Sequence, residues 1–179
     1  MSRSRIMTIF ILATLFSGAI FGFAASAEET APMTDSHIAR IRTNCVDAQS
    51  TLFQLHATDA GLRVNRGQIY ESISTKLIAP FNSRIVLNRI SDETLLSTAA
   101  QYDKQLEAFR QQYQLYEEAM SASLRINCVN QPVAFYDSVV DTREKRRLTH
   151  EAAADLHKTI QDYGVKVDMY AKNFQADKS

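Results

Sequence analysis

LLSTAAQYDKQLEAFRQQYQLYEEAMSASLRINC, residues Leu95 to Cys128, decides how the rest of the chain is read. Apolar or aromatic side chains fall at Leu95, Ala99, Tyr102, Leu106, Phe109, Tyr113, Tyr116 and Met120. Steps of four and three alternate over this run, the seam of a long helix that packs against other long helices. Upstream, Ile38, Ile41, Cys45, Ala48, Leu52 and Leu55 repeat the spacing, and Leu62, Ile69 and Ile73 resume it.

The boundaries are set by capping chemistry. Thr34 can accept from the first free N–H groups of a helix, Asp35 complements its positive end, and Met33 can staple onto Ile38. The pattern then predicts a helix to Ala79, where Pro80 removes a backbone donor and crowds the preceding turn. At ~1.5 Å per residue such a helix is ~65 Å long. Its middle is polar: Asp59 and Arg66 occupy seam positions, and Gly61 and Gly67 each cost ~1 kcal/mol relative to Ala. A kink, or a buried polar layer that fixes register, accounts for this stretch.

Residues 80–90 should form the connection, with Ser91 capping the second helix and Asp92 and Glu93 in its first turn. The connection is unusually apolar, carrying Phe81, Ile85, Val86, Leu87 and Ile90. Two readings compete: a plug for the end of a bundle, or an exposed patch for a partner. The second helix runs to Asn127, and Pro132 belongs in the first turn of a third. That third helix carries Phe135, Val139, Leu148, Ala152, Leu156, Ile160, Tyr163, Val167, Tyr170 and Phe174 on its seam, and residues 176–179 form a frayed tail.

Three long helices joined by short turns bury three stripes only by running up, down and up. The predicted fold is therefore all-α: an elongated antiparallel three-helix bundle with coiled-coil-like packing, its helices at approximately 34–79, 91–127 and 132–175. The cysteines test this. Facing residues of a helical hairpin have indices adding to a constant. Cys45 and Cys128 are centred on residues 86 and 87, the connection from Pro80 to Ser91 on residues 85 and 86. One disulfide, Cys45 to Cys128, is the expectation in an exported chain.

Export is read from the first 27 residues. Arg3 and Arg5 precede an uncharged, mostly apolar run from Ile6 to Phe23, and Ala25-Ser26-Ala27 is a small-x-small cleavage site. The segment reads as a signal peptide. Left uncleaved, residues 6–23 would be an anchor at the lower length limit for a membrane span. Residues 28–33 form a linker, and residues 34–175 the bundle. Without Arg3 and Arg5 the chain has 18 basic and 20 acidic residues. That near-neutral balance gives no field for nucleic acid. Tryptophan is absent, glycine and proline are scarce, and helix formers dominate.

The same register sets Arg66 opposite Glu107, making Asp59, Arg66 and Glu107 the candidate polar layer. A return near Asn130 sets Arg143 beside Glu117 and Glu118. The basic face Arg143, Lys145, Arg146 and Arg147 then reads as a solvated surface paired with acids of the second helix, with contact to anionic lipid or polymer as the alternative.

Catalytic, cofactor and metal residues are not found. His150 and His157 are seven apart, so their rings lie ~10 Å from each other on a helix, too far to share an ion. There is no Gly-x-Ser-x-Gly turn, glycine-rich phosphate loop or Cys-x-x-Cys-His box. The expectation is an exported, non-catalytic structural or interaction module of the cell envelope, whose partner is another protein or a second copy. A membrane enters only through residues 6–23 if they stay attached. The alternatives are an extracytoplasmic chaperone or adaptor that grips clients with the tip 81–90, and a small-ligand or metal-binding protein.

Overall fold

The computed structural model describes residues 33–88 and 92–176, which lie within one unit, Met33–Ser179. The signal segment, most of the linker, Ile90, Ser91 and residues 177–179 lie outside the described residues. The described chain is all-α. Its elements are α1 (Asp35–Thr43), α2 (Cys45–Ile73), a π-helical turn (Ser74–Ile78), α3 (Ala79–Leu87), α4 (Glu93–Arg125) and α5 (Pro132–Ala176).

The single helix expected over 34–79 is thus divided. Thr34 caps α1 by accepting from the His37 N–H. At Asn44 the backbone leaves helical geometry (φ −95°, ψ 10°), but the Asn44 and Ala48 N–H groups still reach Arg40 and Asn44 carbonyls, so α1 and α2 meet at a bend rather than a loop.

Pro80 does not end the helix. The chain widens into a π turn just before it, with the Ala79 N–H bonded to the Ser74 carbonyl, and α3 continues to Leu87. Pro80 falls in the first turn of α3, directly after the widened turn. The Ser74 N–H is shared between Glu71 and Tyr70 carbonyls. The Tyr102 hydroxyl donates to the same Tyr70 carbonyl at 2.8 Å. The extra residue of the π turn also rotates the helix beyond it. Ile78 and Ile85 are buried, while Leu77 is exposed. Leu62 and Ile69, expected on the seam, are exposed, and Tyr70 takes the inward position.

Helix α4 starts later than the expected residue 91. Its cap is Asp92, whose carboxylate accepts from the Thr94 and Leu95 N–H groups at 3.1 Å each. It ends at Arg125, short of 127, and an Asx turn succeeds it, in which Asn127 Oδ1 accepts from the Val129 and Asn130 N–H groups.

Every apolar seam residue of α4 from Leu95 to Met120 is buried, and Leu95, Tyr102 and Met120 are fully so. Complete burial of such a side chain stabilises by ~1.5–3 kcal/mol, so α4 supplies more of the apolar driving force than any other described helix. It lies along α5 for much of its length, through contacts such as Ser123 with Thr142 and Thr149 with Gln112. By contrast, α2 buries only Cys45, Asp59 and Tyr70 of its 29 residues.

Three apolar clusters lie along the helices, with a polar level beside the one that holds Tyr116. One gathers Leu95, Tyr102, Phe109, Leu156 and their neighbours, with Ile78 and Ile85. The other end holds Tyr113, Tyr116 and Met120, then the disulfide with Phe135. Cys45 and Cys128 are bonded, with Cα atoms 5.5 Å apart. Around them, Arg42 Nε donates to the Val129 carbonyl at 3.2 Å and Gln49 Nε2 to the Ile126 carbonyl at 2.9 Å. The turn after α4 is therefore tied to α1 and α2 by one covalent and two hydrogen bonds.

Candidate functional site

The polar level is built on Asp59. Its seam position turns it inward, and burial of a carboxylate requires partners. Arg146 of α5 supplies two: Nε donates to Oδ2 at 2.7 Å and Nη2 to Oδ1 at 3.1 Å. The Tyr116 hydroxyl donates to Oδ2 at 2.7 Å. Burial pushes the Asp59 pKa up, but the hydrogen bonds from Arg146 and Tyr116 and the Arg146 charge outweigh it, leaving the carboxyl below its ordinary range. A carboxylate held this way stays ionised and is a weak proton acceptor. Burial, and then the bond to Asp59, push the Tyr116 hydroxyl well above the usual phenol range.

Next to it, the Tyr113 hydroxyl donates to Glu117 Oε2 at 3.1 Å, and His56 Nε2 contacts both Glu117 oxygens. Burial and the Glu117 charge raise the Tyr113 pKa to about 12. The Arg63 guanidinium lies over the Tyr113 ring, 4.8 Å from its centroid.

The structure brings some sequence candidates together and separates others. Asp59 lies in the polar level, but its partner comes from the basic run rather than from Arg66. The expected ion pair between Arg66 and Glu107 is not formed: both are exposed, and Glu107 instead accepts from Arg110 at 2.9 Å. Arg110 also reaches Glu71 of α2, bridging α2 to α4. Steps of three and four on α4 place Arg110 one turn from Glu107, so a local partner wins.

Arg143 does not meet Glu117, which His56 and Tyr113 occupy. It lines a cavity of about 360 Å³ with Arg40, Phe135 and Tyr136. Lys145 pairs with Asp141 and Arg147 with Glu144 and Glu151, all on α5, so two members of the basic face are neutralised within their own helix.

The apolar tip divides between the two readings given to it. Ile85 is buried, and Phe81 is half-buried with its ring edge-on to Tyr170, centroids 6.0 Å apart. Val86 and Leu87 point outward, 56% and 81% exposed. Ile90 lies outside the described residues.

A cavity of about 60 Å³ opens beside the polar level, lined by Asp59, Arg63, Arg66, Tyr113 and Arg146 among others. Sequence reasoning did not find it, because its walls come from three helices. Among the described residues no three His, Cys, Asp or Glu side chains converge as metal ligands, and no helix is long and apolar enough to cross a membrane. No protein-family model, curated protein or solved structure matches the chain.

Proposed function

We propose that this chain is an exported, non-catalytic helical protein acting as a structural or interaction module of the cell envelope. Its architecture in this reading is an elongated antiparallel three-helix bundle. The supporting observation is the run of facing partners. Cys45 with Cys128, His56 with Glu117, Asp59 with Tyr116 and Tyr70 with Tyr102 rise in index on one arm as they fall on the other. Ser123 with Thr142 and Gln112 with Thr149 do the same for α4 and α5. With 45 residues, α5 alone is ~68 Å long.

Export is supported by the targeting pattern of residues 1–27 together with the bonded cysteines, since disulfides persist in oxidising compartments. Fractionation of cells expressing the full chain tests it. The expected product lies outside the cytoplasm, oxidised, and begins at Glu28. A reduced, full-length product retained in the cytoplasm overturns the reading. Small-angle scattering tests the shape, with an expected maximum dimension of ~70 Å.

The exposure of Val86 and Leu87 favours a second reading, an extracytoplasmic chaperone or adaptor that holds apolar segments at this tip. Suppression of client aggregation by the wild-type chain, lost in Val86→Ser/Leu87→Ser, is the expected outcome. Equal suppression by both overturns that role.

A further inference from the structure

One place in the molecule holds more cationic charge than the fold neutralises. The lining of the cavity beside the polar level includes three arginines, Arg63, Arg66 and Arg146, and a single acidic residue, Asp59. Asp59 is committed to Arg146. Arg63 is turned over the Tyr113 ring, and Arg66 is in none of the ion pairs among the described residues. Three cationic residues against one anionic residue leave an excess of two positive charges in the lining of one small space, to which His150 also belongs. Like charges around an apolar-walled space repel, and an anion placed between them relieves that repulsion.

The rest of the lining limits the anion. Phe109, Tyr113 and Leu62 add aromatic and aliphatic lining to the same cavity. A bare, fully hydrated ion gains nothing from such walls, whereas a flat or apolar body does. The volume, about 60 Å³, is several times the ~10–15 Å³ that one water needs, so it admits an acid group and the atoms next to it. Guanidinium forks match carboxylate and phosphate oxygens two at a time.

We propose that this cavity is a binding site for a small organic anion: a carboxylate or phosphate group carried on an aromatic or apolar body. Arg63 and Arg66 hold the acid group. Arg146, fixed by Asp59, is the positive back wall, and Phe109 and Leu62 support the body. The site lies between α2, α4 and α5, so its occupant joins the loosely packed α2 to the other two helices. This inference goes beyond the proposed envelope role and stands without it.

Calorimetric titration of the full, oxidised chain tests the site with four probes: benzoate, phenyl phosphate, inorganic phosphate and uncharged benzyl alcohol. One saturable site for an aromatic anion is expected, with inorganic phosphate and benzyl alcohol each at least ~10-fold weaker. A response to benzoate alone or to phenyl phosphate alone supports the site and names its acid. Arg66→Gln should weaken binding ~10-fold, as loss of a hydrogen bond to a charged group does. Because Arg66 is exposed, this variant keeps the wild-type melting temperature, which separates lost binding from lost folding. Arg63→Gln provides an independent second variant. Absence of saturable heat with both aromatic anions overturns the site, as does unchanged binding in both variants. Benzyl alcohol or inorganic phosphate binding as tightly as the aromatic anions overturns it equally.

Discussion

Asp59 and Arg146 stand 87 residues apart in the chain and meet through two parallel hydrogen bonds of 2.7 and 3.1 Å. This fork joins α2 to α5, and Tyr116 of α4 closes it from the third side. Removing one partner leaves a buried charge. Arg146→Met should therefore destabilise by ~2–4 kcal/mol, somewhat less than the loss of one member of a wholly enclosed pair, because Arg146 is 34% exposed. Asp59→Leu combined with Arg146→Met should recover most of the loss. Urea unfolding of both singles and the double variant gives the coupling energy.

Acid should act through the same carboxyl. The Asp59 pKa is lower in the folded than in the unfolded chain, so the unfolded state binds the extra proton first. The contribution is complete above the ordinary value of 3.8 and is lost as pH falls through the lower folded value. Urea midpoints measured from pH ~6 down to pH ~2 should fall more steeply for the wild-type chain than for Asp59→Asn.

The disulfide closes a separation of 83 residues. The chain-entropy argument assigns a loop of this length about 4 kcal/mol, a large share of the ~5–15 kcal/mol typical of a domain. Cys45→Ser/Cys128→Ser should lower the urea midpoint accordingly. Hydrogen exchange in this variant should rise most in α1 and the first half of α2, which bury little besides Cys45.

At the tip, stability and binding should separate. Phe81→Ala removes a half-buried ring packed against Tyr170 and should cost ~1–3 kcal/mol, while Leu87→Ser should change stability by no more than ~0.5 kcal/mol. Thermal melts of the two variants compare them directly.

Gly61 and Gly164 sit within helices, and a Cβ added at either meets nothing within 4 Å. Each substitution to Ala should stabilise by ~0.5–1 kcal/mol, since Gly gives up more backbone freedom than Ala on folding. An increase in melting temperature checks it.

Much of the fold was legible because α4 carries an unbroken seam, and each of its apolar positions from Leu95 to Met120 is buried. The mirror placement of the cysteines was legible from position alone. The π turn was not: from sequence, Pro80 reads as a stop, and only the extra residue ahead of it reveals a helix that continues. The Asp59–Arg146 fork lay one inference away. The register that pairs the cysteines leads from Asp59 to position 114, two residues from Tyr116. The register of the second turn leads from there to Arg146. Arg66 and Glu107 face each other in that scheme, yet long exposed side chains choose partners by reach, and Arg110 is nearer.

The widened turn at Ser74–Ile78 gives the chain a spare residue inside a helix. Losing one residue from 74–77 would restore ordinary helical pitch and still keep Ile78 and Ile85 in one cluster with Tyr70. The same loss from 61–66 would swing Tyr70, Ile73, Ile78 and Ile85 together by about 100° relative to Asp59. Changes in chain length are thus tolerable on one side of Tyr70 and ruinous on the other, and tolerance to shortening maps where this helix stores its slack.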